Sequence, residues 1–240
     1  MSVMVPHQSL IYPVRDGISA YRPSGGGGGW SAGNTLLFDG INDYVVLGSK
    51  ITLTGDFTIS VWFFPVSHAR TLISDDDSTN EYFFLTSATR FEIRLLGGAQ
   101  LFDFAAGTMS LDNWHHLMFT RSGNSGSAYV DGGSAVTKLL GSSVTITLDL
   151  IATFNDQSLF WDGRIDDFYV WDGVVGTAQN AIDLYNGGTP VDPESVIPAA
   201  TYKYLFNEST GTDLPDTGSS ANNGTLINFA DPDANWVSRL

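Results

Sequence analysis

Residues 162–171 read Asp-Gly-Arg-Ile-Asp-Asp-Phe-Tyr-Val-Trp, and this stretch constrains the fold more than any other. After Ile165, Phe168 and Val170 lie on one parity and Tyr169 and Trp171 on the other. A strand that is apolar on both faces must be covered on both, so it belongs in the middle of a sheet within a layered structure. Asp166 and Asp167 stand at the mouth of this strand, where an unpaired carboxylate is costly. They must reach solvent, cap backbone N–H groups or hold a cation. Residues 38–46 follow the same plan: the oxygen-rich turn Asp39-Gly40-Ile41-Asn42-Asp43 feeds the apolar run Tyr44-Val45-Val46.

The remaining punctuation fits an all-β chain. Asp-Gly recurs at 16–17, 39–40, 131–132, 162–163 and 172–173, and Asn-Gly at 186–187 and 223–224. Gly supplies positive φ while Asp or Asn bonds its own backbone, so these pairs end strands. Short apolar runs between them predict a sandwich or barrel. Strands are expected at 35–38, 44–47, 57–64, 70–74, 82–85, 91–95, 100–104, 114–121, 127–130, 144–151, 165–171 and 201–206. Thr177 is positioned to cap a helix over 178–185, with Ile182 and Tyr185 turned inward and Gly187 stopping it. A chain of 240 residues holds one large β domain or two small ones.

Several motifs together resemble a laminin G-like domain of the concanavalin A-like lectin/glucanase jelly rolls. Phe38-Asp39-Gly40, Asn42-Asp43-Tyr44-Val45 and Asp56-Phe57-Thr58-Ile59-Ser60-Val61-Trp62 are similar to the family's opening. Trp114-His115-His116-Leu117 through Thr120-Arg121, then Tyr129-Val130-Asp131-Gly132, match its central hairpin. Gly163-Arg164-Ile165-Asp166-Asp167-Phe168 and Ala181-Ile182 with Leu184-Tyr185 match its closing strand and helix. Tyr204 to Leu226 resembles the strand that usually opens the domain, here placed last, as in a permuted strand order. The resemblance covers roughly residues 31–229. It implies an all-β jelly-roll β-sandwich of two antiparallel sheets with one short helix. It also implies a structural calcium held by Asp39, Asn42 or Asp43, and Asp167, with backbone carbonyls completing an oxygen shell of the kind calcium prefers.

Residues 1–30 differ from the rest. Pro6, Pro13 and Pro23 punctuate apolar residues without a period, and Gly25–Gly29 form an unbroken run before Trp30. We read them as an extended N-terminal arm with a Gly-rich linker, and residues 31–240 as the jelly-roll domain. The alternatives are a disordered tail, or an arm folded back over an edge strand of its own sandwich.

Composition excludes several functions. The net charge of −15 argues against nucleic acid, whose phosphates call for Lys and Arg. No cysteine is present, and no apolar stretch is long enough to cross a membrane as a helix. No secretory signal is visible at the N-terminus. Only Glu81, Glu92, Glu194 and Glu208 are glutamates, and no two alternate on one strand as the hydrolases of this superfamily require. Asp166 and Asp167 are adjacent, so on a regular strand they face opposite ways. His115 and His116 read as packing residues. Asp75-Asp76-Asp77 reads as a solvated loop, with a metal site as the alternative.

The expected function is therefore non-enzymatic. The first reading is a lectin-like structural protein of a larger assembly, such as a virus (phage) particle decoration or fibre component docked on other subunits through residues 1–30. The alternative is a calcium-dependent carbohydrate-binding module of an extracellular or cell-surface protein, with Trp30, Trp161, Trp171, Tyr82 and Tyr129 as aromatic candidates. Expected partners are protein subunits, a second copy of the chain or glycans, without nucleic acid or membrane.

Overall fold

The computed structural model describes residues 33–77, 81–95, 98–140, 145–155 and 157–239. The arm expected over residues 1–30, and Trp30 with it, lies outside the described residues. The strands are β1 Asn34–Asp39, β2 Tyr44–Leu53, β3 Phe57–Pro65, β4 Arg70–Ser74, β5 Tyr82–Ser87, β6 Arg90–Leu95, β7 Gly98–Asp103, β8 His115–Ser122, β9 Ser125–Val130, β10 Val136–Leu139, β11 Ile146–Ile151, β12 Asp162–Asp172, β13 Tyr202–Tyr204, β14 Asp213–Leu214, β15 Gly224–Ile227 and β16 Trp236–Ser238. Helix α1 spans Ala178–Tyr185, and α2 is the single turn Pro232–Asn235.

These strands form two antiparallel sheets. The first runs β10-β9-β8-β3-β12-β1-β16, with β13 also paired to β12, and the second runs β14-β15-β2-β11-β4-β5-β6-β7. The architecture is the jelly-roll sandwich expected from the sequence. As predicted, β12 is central, with β3 on one side and β1 and β13 sharing the other. The late segment does return to the sheet, but in pieces: β16 lies beside β1, β13 beside β12, and β15 beside β2.

Between the sheets lies one core. Phe38, Phe57, Ile59, Phe63, Phe119, Ile165 and Phe168 from the first sheet meet Val45, Ile51, Phe83, Phe91, Ile93 and Leu148 from the second. Each such side chain contributes about 1.5–3 kcal/mol when fully buried. Ile165 and Phe168 are three residues apart, an odd interval that a regular strand sends to opposite faces. A bulge resolves this: the β12–β3 register shifts between Asp166 and Tyr169, and Asp167 adopts φ 51°. Gly163 is forced by its neighbours, because its φ is 135° and a Cβ there would lie 2.0 Å from the Phe64 carbonyl oxygen.

A second cluster covers the outer face of the first sheet. Met118, Tyr129, Tyr169 and Trp171 pack under Ala181 and Leu184 of α1 and under Ile197 and Ala200 of the following crossing. Thr177 caps α1 as expected, in a reciprocal pair with Asn180. The inward face of α1 differs from the expected one. Ala181 and Leu184 are buried, whereas Ile182 is 49% exposed and Tyr185 is half-buried, stacked on Trp62. The small Ala181 lets the helix approach the sheet, which a face built on Ile182 would not allow.

Candidate functional site

The residues expected to hold calcium divide between two places. Asp39 pairs with Asp162 at one end of β12, whereas Asp167 lies five residues farther along that strand. At ~3.3 Å per residue this puts the two carboxylates on the order of 15 Å apart. At the first place, Asp39 Oδ1 accepts the amides of Ile41 (2.8 Å) and Asn42 (3.2 Å), closing the turn. Asp43 Oδ2 accepts the Asp39 amide at 3.2 Å, and Asp43 Oδ1 is buried without a partner among the described residues. Burial, reinforced by the Asp39 charge, pushes the Asp43 carboxyl up to about 6. Asn42 contributes its carbonyl to Asn228. The four residues therefore do not form the single oxygen shell that the resemblance implies.

At the second place a protein cation already stands on the carboxylates. Arg239 Nη1 donates to Asp166 Oδ2 at 2.5 Å and to Asp167 Oδ2 at 2.9 Å. The bulge at Asp167 is what turns both acids to the same side, overturning the expectation that adjacent aspartates face opposite ways. The Arg239 guanidinium lies 4.8 Å from the Trp62 ring centre and 4.7 Å from that of Trp114, sandwiched between two indoles. Trp62 is directly opposite Asp166 in the β3–β12 register, and the Trp114 indole N–H donates to the Arg239 carbonyl. Beside them His116 bonds Ser60 Oγ at 2.8 Å, and burial, with the Arg239 charge, pulls its pKa down to about 3.

This cluster is sealed. Asp166 and Asp167 are 2% and 1% exposed. Burial, aided by the neighbouring Asp167 charge, holds Asp166 well above the usual carboxylate range. Burial also raises Asp167 to about 7 against the pull of Arg239. A buried guanidinium with two charge-assisted bonds is a structural lock rather than a site for a substrate.

A third constellation was legible in the sequence only at Asp75-Asp76-Asp77, without its partners Lys50 and Asp149. Lys50, on the outer face of β2, places its Nζ 2.6 Å from Asp75 Oδ1, 2.6 Å from Asp76 Oδ1, 3.2 Å from Asp77 Oδ2 and 3.7 Å from Asp149 Oδ2. The solvated-loop reading holds for Asp76 and Asp77, whose side chains are 56% and 43% exposed, but Asp75 is fully buried. Asp149 was the missed signal: a single acid within the apolar strand Ile146–Ile151. It sits on the solvent-side face and accepts the Asp76 amide at 2.9 Å. Next to this cluster Glu81 accepts both the amide and the hydroxyl of Thr147.

The same sheet face continues onto β5, β6 and β7. Tyr82 stands opposite Arg94, and Phe84 opposite Glu92, in the β5–β6 register. The Tyr82 hydroxyl donates to Glu92 at 2.5 Å, and burial together with that carboxylate pushes the phenol up to about 12. Phe154 packs edge-on against Tyr82 from the segment that leads into β12. Phe84, Glu92 and Arg94 are each half-buried, and Leu101, opposite Glu92, is 39% exposed. Of the aromatic candidates named from sequence, Trp161 and Trp171 are fully buried, and Tyr129 lies beneath α1. Of the candidates among the described residues, Tyr82 alone borders this face, itself 8% exposed.

Comparisons with known proteins agree with the architecture. In the Limulus polyphemus heptameric SAP-like pentraxin, 64% of this chain aligns with 82% of that one at 15% identity and a TM-score of 0.50. In a candidate carbohydrate-binding protein of Bacteroides ovatus, 81% of this chain aligns at 16% identity and a TM-score of 0.59, spanning 58% of that protein's length. At such identities the likeness is one of fold. No curated protein sequence matches. The family model described as the concanavalin A-like lectin/glucanases superfamily matches residues 39–179, more than half of the 240-residue chain, and the chain belongs to that superfamily.

Proposed function

We propose that this domain is a non-enzymatic, lectin-like module that binds carbohydrate on the outer face of the second sheet, around Tyr82, Phe84, Glu92 and Arg94. One observation carries the reading. Much of the outer face of the first sheet is covered by α1 and the 193–200 crossing, whereas β5–β7 leave the half-buried Phe84 directly opposite Glu92, with Arg94 one pair farther along opposite Tyr82. Sugar recognition needs this combination: an apolar face for the ring's C–H surface, and charged groups oriented to bond its hydroxyls. Membership in a lectin-containing superfamily supports it, as does the likeness to the Bacteroides ovatus protein.

Catalysis has little to work with here. Both carboxylate clusters described above are engaged by a protein cation, Asp166 and Asp167 by Arg239, and Asp75, Asp76 and Asp149 by Lys50. An extracellular or cell-surface setting follows from the same reading. A glycan array with the full chain tests it. Binding to at least one glycan class is expected, weakened tenfold or more by Phe84→Ala and by Arg94→Ala and unaffected by Ile182→Ala. Binding that survives both β5–β6 variants would move the site elsewhere. The absence of any binding favours the second reading, in which the domain is a building block of an assembly such as a virus particle, docked through the compositionally distinct residues 1–30.

A further inference from the structure

We propose that residues 1–30 of one copy dock on an apolar rim at one end of the sandwich of a second copy, so that the chain assembles head to tail. Nine large apolar side chains are exposed among the described residues, and four of them, Ile41, Val66, Leu111 and Leu159, gather at this rim. Backbone pairing brings them together. The Val66 amide donates to the Asp162 carbonyl at 2.9 Å, and the Asp112 amide, next to Leu111, donates to the Pro65 carbonyl at 2.8 Å. Asp39, two residues before Ile41, pairs with Asp162 across β1 and β12. Leu159 stands three residues before Asp162, and its carbonyl accepts the Thr71 amide at 2.9 Å. Exposed apolar residues scattered singly need no explanation, but a group gathered at one end of the molecule marks an interaction surface.

The rim is held in place before any partner arrives. Besides the bonds above, Asp39 Oδ1 closes the turn that carries Ile41, which is 72% exposed. Leu159 sits at φ 50°, a strained conformation for a bulky residue, and its backbone bond to Thr71 keeps it there. A preformed surface loses little freedom when another chain settles on it.

The chemistry of residues 1–30 matches this rim. Leu10, Ile11, Tyr12 and Val14, then Ile18 and Tyr21, lack the period that would give them a core of their own, and each group is followed by an arginine, Arg15 and Arg22. The rim likewise sets acids beside its apolar residues: Asp39 and Asp112 are exposed and Asp162 is half-buried. Its cations are engaged, Arg70 with Ser67, and Arg164 with Ser238 and the Phe64 ring. Charge agrees over the whole chain as well. Arg15 and Arg22 against Asp16 give the arm a net +1, while residues 31–240 carry −16, which together make the chain's −15. Opposite signs favour encounter between arm and domain.

Geometry favours a second copy over the chain's own rim. Gly33 lies six residues, about 20 Å, behind Asp39 along β1. Its carbonyl accepts the Arg239 amide at 3.3 Å, so the chain enters in line with β1 from the side away from the rim. To meet its own rim the arm would have to reverse, whereas a second copy placed in line meets it directly. Thirty residues reach on the order of 100 Å, ample for either path. A contact of this kind is heterologous and repeats into a ring or a filament. It lies apart from the glycan face on β5 and β6, and it deepens the second reading above by naming the surface that the arm grips.

Sedimentation of the full chain over a range of concentrations tests this, with folding checked by melting temperature. Concentration-dependent self-association is expected. Ile41→Asp with Leu159→Asp alters the rim, and Leu10→Asp with Ile11→Asp alters the arm. Each pair of changes should weaken association at least about tenfold, whereas Ile182→Asp, at an exposed apolar residue elsewhere, should not. The deciding measurement is a mixture of the two variants. One keeps its arm and the other its rim, so together they should form a complex that stops at two chains. A monomeric unaltered chain overturns the proposal. So does a mixture that fails to pair, the outcome for rim-to-rim contact or for an arm folded on its own domain. Association lost in the arm variant but kept in the rim variant also overturns it, while leaving the arm itself as the docking element. Glycan binding read on the same samples shows which of the two readings has failed, since the changes avoid β5 and β6.

Discussion

Replacing Arg239 by Met tests whether the Asp166–Asp167 cluster is a lock as described. The change keeps an unbranched side chain between Trp62 and Trp114 but removes the guanidinium. Two carboxylates at 2% and 1% exposure then lose their shared partner and the bonds at 2.5 and 2.9 Å. Breaking a buried ion pair from one side costs about 3–5 kcal/mol. The two stacked indole contacts at 4.8 and 4.7 Å place the expectation toward the upper part of that range. For a domain of this size the loss corresponds to a melting temperature lower by about 6–20 °C.

The pH dependence gives the cost its signature. Arg239 lowers both carboxyl pKa values, although burial leaves them raised in the fold. Without it they rise further. A carboxyl whose folded pKa is raised contributes stability below its unfolded value, near 3.8, and loses it as pH climbs through the folded value. The variant's deficit should therefore be largest at pH 8 and smaller at pH 4.5 by at least about 1.4 kcal/mol, the worth of one pK unit. Urea unfolding followed by tryptophan fluorescence at the two pH values measures this. Adding Asp166→Asn and Asp167→Asn to Arg239→Met should recover part of the loss at pH 8. A deficit below about 1 kcal/mol at pH 8, or one that does not change with pH, would refute the reasoning.

Two further outcomes are expected. Asp43→Asn keeps an acceptor for the Asp39 amide while removing a carboxyl raised to about 6. By the same sign rule it should stabilise the fold by up to about 3 kcal/mol at pH 8, the worth of two pK units, and have little effect at pH 4, read from denaturation midpoints. Deleting residues 1–29 should leave the melting temperature nearly unchanged while abolishing any self-association or particle binding, measured by light scattering. Loss of folding with association intact would place the arm in the core.

The fold was legible because it rests on local signals that tertiary contacts reinforce. Asp-Gly and Asn-Gly turns bound the runs, and the two-sided apolar pattern of residues 168–171 placed β12 mid-sheet with no structure in hand. The short strands β10, β14 and β16 were not legible, since two to four residues carry no period.

The sites depended on long-range pairing. Asp167 matched the motif, but its chemistry was set by a bulge that turned it toward Arg239, 72 residues away. Nothing near Arg239 in the sequence marks it as the partner of two aspartates. Likewise Lys50 and Asp149 lie 99 positions apart, and only the pairing of β2 with β11 and of β11 with β4 gathers them around Asp75. Sequence by itself determined the residue types, the turns and the sandwich, because these follow from backbone preference and the burial of apolar faces. Tertiary structure alone decided which acid meets which cation, because strand register and a single bulged residue fix those distances.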